Sequence, residues 1–193
     1  DCLPPLVKSF EAFKADNSNP LPNMDFRSLT NCNLELRHWK GIAKNMPWNA
    51  LRMNLNTLQR NGVFNDPKMV DMIAEKLSSR ENVKRSSVFP YQLFTTYQNV
   101  TEVPTKIRGA LQDALEIATE NVPSLGDNVA VCVDVSGSMN SPITGYRGGS
   151  IPSSKTSCRD VASLIAASLA RTNQNKDVVS YGHLARYADF NRR

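Results

Sequence analysis

One stretch limits the fold more than any other: residues 128–139, N-V-A-V-C-V-D-V-S-G-S-M. Six mostly β-branched or apolar residues run without a charge into Asp134, and Ser136, Gly137 and Ser138 follow at once. A run of that kind predicts a buried strand that stops in a tight turn of small oxygen donors. Such strands belong to α/β sheets, which place their ligands beyond the carboxyl ends of the strands. Here the first groups past that end are one carboxylate and two hydroxyls at alternate positions. Hard oxygens suit Mg²⁺, which keeps several waters and takes few protein ligands, although the same residues are also ordinary turn formers.

Ahead of this stretch the hydrophobic period is helical. Residues 1–33 are rich in Pro, Asn and Asp and read mainly as loop, with one short helix over 6–14 in which Leu6, Phe10 and Phe13 share a face. An opening this irregular, without an initial Met, reads as a segment of a longer chain. Asn33 can cap a helix over 34–45, with Leu36, Trp39, Ala43 and Met46 on one stripe and Arg37, Lys40 and Lys44 on the next. Pro47 opens a second helix carrying Leu51, Leu55 and Leu58, closed by Asn61-Gly62. Asp66-Pro67 caps and starts a third, with Met69, Val70, Ile73 and Leu77 inward. Pro90 starts a fourth, with Leu93, Phe94 and Tyr97 as its apolar side. Pro104 starts a fifth, where Ile107, Ala110, Leu111, Ala114, Ile117 and Ala118 give the clearest period of the chain. Trp39 and Trp48 read as core. Helices in tandem, joined by short turns, predict a HEAT-like helical array rather than a compact bundle.

After Ser124-Leu125-Gly126 the pattern changes, so residues 1–125 are expected to form the helical domain and 126–193 an α/β domain. Residues 140–157 read as a polar surface loop. A helix over 159–171 follows, with Val161, Leu164, Ile165 and Leu169 buried, then a strand at 178–181, a turn at Gly182-His183 and a return at 185–190. This order is the start of a doubly wound, Rossmann-type sheet, incomplete at residue 193.

The chain carries a formal charge of +5, distributed unevenly. Between residues 36 and 65 lie Arg37, Lys40, Lys44, Arg52, Arg60 and His38, and no acid. Such a segment is either solvated surface or a face for phosphates, and His38, Lys40 and Lys44 are the candidates by charge and position. No run approaches the length of an apolar membrane span, so no membrane is expected. Cys2, Cys32, Cys132 and Cys158 show neither C-x-x-C spacing nor Cys/His clustering. A zinc site is therefore not expected, and a reducing, cytoplasmic setting is. Cys132, inside the strand, reads as a small buried hydrophobe.

The D-x-S-x-S of Asp134, Ser136 and Ser138 resembles the first loop of the metal-ion-dependent adhesion site in von Willebrand factor A domains. That resemblance implies that Asp134 holds a divalent ion, Mg²⁺ by its chemistry, through a water, while Ser136 and Ser138 ligate it directly. The two further loops of such a site, with a Thr and another Asp, would follow residue 193, so the site expected here is weak and incomplete. The chain as a whole resembles the Ro autoantigen, or TROVE-module, RNA-binding proteins. The likeness is carried by H-W-K-G-I-A-K-N-M-P-W-N-A-L-R-M-N-L (38–55), R-N-G-V-F (60–64), S-V-F-P-Y-Q-L (87–93) and A-L-Q-D-A-L-E-I-A (110–118), all ahead of the strand that ends in D-V-S-G-S-M.

This second resemblance implies a ring of helical repeats closed against an A domain. It also implies a cationic hole that takes single-stranded 3′ ends of misfolded non-coding RNA, and an outer surface that holds small structured Y RNA. The implied role is RNA quality control and ribonucleoprotein scaffolding, without catalysis. Arg52 and Asn54 join His38, Lys40 and Lys44 as candidate RNA contacts. Met53 stands where the family's A-L-L-R-N-L has its Arg, so Arg52 lies about 100° around the helix from that position.

Two other functions compete. The Asp134 loop could present Mg²⁺, with one open position, to a partner's carboxylate, making the chain a metal-dependent protein-interaction module. G-S-I-P-S-S-K-T (149–156) misses the phosphate-loop pattern only at Ser154, but it starts about fourteen residues past the strand, and Ser154 would crowd a phosphate. His38 and His183 fall in different domains, with no nucleophile motif and no H-E-x-x-H, so the chain is read as non-enzymatic.

Overall fold

A computed structural model describes residues 3–144 and 154–188. Before residue 126 its elements are helices: α1 (Pro5–Ala15), α2 (Phe26–Leu29), α3 (Leu36–Asn45), α4 (Trp48–Met53), α5 (Leu55–Arg60), α6 (Pro67–Ser78), α7 (Arg80–Ser86), α8 (Pro90–Asn99) and α9 (Thr105–Ala118), with 3-10 turns at Val63–Asn65 and Thr119–Asn121. Their starts are set locally. Asp66 accepts the Lys68 amide ahead of Pro67, and Pro67 and Pro90 occupy first positions where no N–H is needed. At the end of α5, Asn61 Nδ2 donates to Thr57 O, and Gly62 turns the chain at φ 73°.

Several boundaries differ from expectation. The second expected helix is two, α4 and α5, meeting at Asn54, and α3 begins behind Glu35 rather than Asn33. Helix α7 has a single buried residue, Val83, and is held instead by the Ser79 cap and by ion pairs from Arg80 and Lys84 to Glu120. Leu36 and Leu6, expected inward, are exposed.

The helices enclose one continuous core that includes Trp39, Trp48, Leu51, Leu58, Ile73 and Leu93. Helix α9 is its centre and packs against α6, α7 and α8, presenting Ile107, Leu111 and Ala114 to them.

Strands β1 (Val129–Asp134), β2 (Lys176–Tyr181) and β3 (Ala185–Tyr187) lie in the order β1-β2-β3. The first pair is parallel, with Val133 opposite Ser180, and the second antiparallel, with Ser180 opposite Arg186. Helix α10 (Cys158–Thr172) covers one face, setting Ala162, Ala166 and Ala170 against Val131, Val133 and Val178. Its larger side chains are not buried as expected: Ile165 is exposed, and Val161, Leu164 and Leu169 are half-buried. The alanine stripe explains this, because it lets the helix lie close to the sheet and turns the bulky residues aside. Ile165 and Leu169 instead face Phe89, Tyr91 and Val122 across an apolar hollow of about 310 Å³. Strand β1 is likewise not buried on both faces. Ala130 and Cys132 are exposed, because α10 covers only the other side.

Asn173, just past α10, is 1% exposed and ties the two halves together. Its Oδ1 accepts from Leu125 N (2.8 Å) and Ser124 Oγ (3.1 Å), and its Nδ2 donates to Leu169 O (2.7 Å) and Thr172 Oγ1 (3.2 Å). Arg171 adds an ion pair to Glu116 on α9. Cys32, Cys132 and Cys158 are free thiols. Among the described residues no helix is long and apolar enough to cross a membrane. Most of the phosphate-loop lookalike, residues 149–153, and the end of the expected return strand, 189–190, lie outside the described residues, as does Cys2.

Candidate nucleic-acid interface

The expected basic face of α3 is only partly assembled. Lys44 is exposed, but the Lys40 Nζ donates to Asp66 Oδ2 at 2.7 Å, a hydrogen bond that holds the Asp66 carboxyl below its usual range. Asp66 lies just outside the acid-free segment, so folding brings in the acid that the sequence window lacks. Arg37 pairs with Glu35 in the same way. Lys44 and Arg60 have no carboxylate within ion-pair distance among the described residues.

His38 does not join that face. It is 5% exposed, its Nδ1 accepts from Glu35 N at 3.0 Å, and Phe13 meets its ring edge-on at 5.1 Å between centroids. The imidazole is a cap on α3, buried by a helix from the N-terminal segment, and presents no open face to a ligand.

Arg52 is also buried. Its Nη1 donates to Thr96 Oγ1 and to Gln92 O (3.0 Å), joining α4 to α8, while its Nε is buried without a partner. Burial pushes its pKa down, opposed in part by Tyr91. Asn54 sits at the break between α4 and α5, half-buried, with Nδ2 on Ala50 O at 2.8 Å. Arg52 lines a groove of about 360 Å³ between α4–α5 and α8, together with Asn56, Tyr91, Gln92 and Asn99, with Met53 72% exposed at its rim. Neither Lys40 nor Lys44 reaches it. The groove therefore contains one residue read as a candidate from the sequence, Arg52, and polar and aromatic residues that were not: Asn56, Tyr91, Gln92 and Asn99. Arg52 and its partner Gln92 are forty residues apart, and the only sequence sign of Tyr91 and Gln92 was the S-V-F-P-Y-Q-L segment.

Asp134 is the last residue of β1, at the carboxyl end of the sheet, and its Oδ1 accepts from Ser136 N at 2.8 Å. That bond keeps its carboxyl pKa low. Ser136 Oγ and Ser138 Oγ are 3.1 Å apart. Neighbouring oxygens around octahedral Mg²⁺ stand about 2.9 Å apart, so the two hydroxyls are spaced as adjacent ligands. The donor set therefore fits a hard cation, but one loop supplies all of it. Among the described residues no group of three or more His, Cys, Asp or Glu side chains could hold a metal ion.

Residues 27–171 match the TROVE domain. The chain belongs to the TROVE domain family. The TROVE match runs from α2 through the helical core and β1 into α10, and contains all four motifs at 38–55, 60–64, 87–93 and 110–118. The RNA-binding protein RO60 of Caenorhabditis elegans is 32% identical over 128 residues, which cover 61% of this chain and 18% of that protein. The crystal structure of the Deinococcus radiodurans RO (RSR) protein is similar at a TM-score of 0.59 and 20% identity, over 94% of this chain and 39% of that one. This TROVE chain thus has the fold of part of a Ro protein and spans well under half the length of either relative.

Proposed function

We propose that this TROVE chain is part of a non-catalytic RNA-binding protein of the Ro autoantigen type. On this reading it holds single-stranded 3′ ends of misfolded RNA and small Y-like RNA, in RNA quality control and ribonucleoprotein scaffolding in the cytoplasm. The observation that carries the reading is the Arg52 groove. The Arg52 guanidinium, the side chains of Asn56, Gln92 and Asn99, and the ring of Tyr91 line one open channel, the amides being held in place by internal hydrogen bonds. Cation, amide and aromatic face are the groups by which proteins hold single strands with little sequence reading. Lys44 and Arg60, without carboxylate partners, add long-range attraction for phosphates.

Filter binding of single-stranded RNA across a salt series tests this. Affinity should fall with salt, with a log–log slope of about −0.7 per neutralised phosphate, and Lys44→Gln should lower that slope. Binding that does not vary with salt, or equal affinity for a neutral polymer, would remove the proposal.

The spacing of the Ser136 and Ser138 hydroxyls favours a second reading. The β-loop-α-β-β unit would be the first part of a von Willebrand factor A-like domain, with Asp134, Ser136 and Ser138 holding Mg²⁺ weakly. When bound, that ion would offer an open position to a carboxylate of a protein partner. Calorimetry with Mg²⁺ on the parent and on Asp134→Ala separates the outcomes, and identical traces would end this reading.

A further inference from the structure

We propose that the cleft between the start of α10 and the β2–β3 hairpin is a phosphate-binding site, separate from the Arg52 groove. The cleft holds about 640 Å³ and is lined by Ser136, Arg159, Ser180, His183 and Arg186, with no acidic residue in its wall. Its position follows from the sheet. Ser180 pairs with Val133 on one side and Arg186 on the other, so by strand alternation all three lie on the face that α10 covers. Arg159, in the first turn of α10, donates Nη2 to Val135 O at 2.8 Å, which fixes the guanidinium beside the end of β1. Its Nε is buried and has no partner.

Two acids, Asp134 and Asp160, are close in sequence to the lining, and Asp134 is bonded to the backbone of the lining residue Ser136. Asp160 accepts from Ser157 N and Oγ, and Asp134 accepts from Ser136 N, and neither lines the cleft. Two guanidiniums, an imidazole and two hydroxyls, at the positive end of a 15-residue helix, form a site for an oxyanion. Charge is its only means of recognition. No Phe, Tyr or Trp ring lines it, because Tyr181 and Tyr187 alternate to the opposite face of the sheet with Cys132 and Val179. A nucleic-acid base would find no large ring to stack on, whereas a phosphate finds cationic and hydroxyl donors around one cleft. The phosphate could be the terminal group of a nucleic acid strand or a small phosphate ester.

The test is a ³¹P line-width titration of inorganic phosphate against the full chain at constant ionic strength, with chloride as the balancing anion. The parent should give saturable broadening, and Arg186→Gln should weaken it about tenfold, the effect of losing one charge-assisted hydrogen bond. His183→Gln should weaken it less. Arg159→Gln should match Arg186→Gln, but it also removes the bond to Val135 O, so a thermal melt accompanies it. The exposed Arg186 and His183 variants decide the matter if that variant unfolds. Otherwise identical RNA oligomers, with and without a terminal phosphate, identify the source. Loss on Arg186→Gln confined to the phosphorylated strand assigns the strand end; loss for inorganic phosphate alone assigns a small ester. Broadening that does not saturate, or that survives both Arg186→Gln and His183→Gln, overturns the site. That failure would leave the Arg52 groove untouched, since the two share no residue.

Discussion

Replacing Arg52 by Met should change stability little, while removing its acceptor by Thr96→Val should lower it. The guanidinium donates to Thr96 Oγ1 and Gln92 O inside the interface of α4 and α8. Hydrogen bonds from a charged donor stabilise by about 1.5–3 kcal/mol each. Desolvating the cation opposes them by several kcal/mol, so the two contributions nearly cancel. In Arg52→Met no acceptor is orphaned, because Thr96 Oγ1 itself donates to Gln92 O at 2.9 Å. The net change should lie within about 1 kcal/mol of zero. Thr96→Val leaves the charge buried with one bond fewer, which should destabilise by about 2–3 kcal/mol. Urea unfolding followed by far-UV circular dichroism measures both, and filter binding measures what Arg52→Met does to RNA affinity, which should drop. If Arg52→Met proves more destabilising than Thr96→Val, the cation is a structural tether. The case that Arg52 is there to attract a ligand would then fail.

Three further outcomes are expected. Asn173→Ala should cost about 1–3 kcal/mol by leaving the Leu125 amide without its partner, and should speed proteolysis around residues 124–126; cleavage at the parent rate would contradict it. Gly62→Ala forces a Cβ into a left-handed backbone and against Asn65 Nδ2, and should destabilise by about 1–2 kcal/mol, read as a lower Tm. The carboxyls of Asp66, Glu116 and Glu120 lie below their ordinary range, chiefly through hydrogen bonds from Lys40, Arg171 and Lys84 respectively. Their folded-state pKa values are depressed, so their stabilisation is complete above the unfolded carboxylate range, about pH 4, and is lost as pH falls through the lower folded values. An acid titration should therefore be flat from neutral pH down to that range; unfolding that begins near pH 6 would refute the assignment.

Several helix boundaries were legible because their signals are local, although the cap of α3 is Glu35 and not Asn33. Asp66-Pro67, Pro90 and Asn61-Gly62 each act through their own backbone, and each falls where its chemistry requires. Helix α7 was not legible, since R-E-N-V-K-R-S has one apolar residue and depends on Glu120 from beyond α9. In α10 the large aliphatics drew attention, whereas the sheet contact is made by alanines, whose short side chains give little hydrophobic signal. The same limit governs the candidate site. Charge was visible along the chain, but Phe13 covering His38 and Asp66 neutralising Lys40 are contacts between distant segments. The Arg52 groove needs α4, α5 and α8 side by side, which no window of sequence displays.

Asn173 has both N–H bonds and both oxygen lone pairs committed, out of reach of water. An amide with no free valence cannot pivot, so it clamps the turn at Ser124-Leu125 to the end of α10.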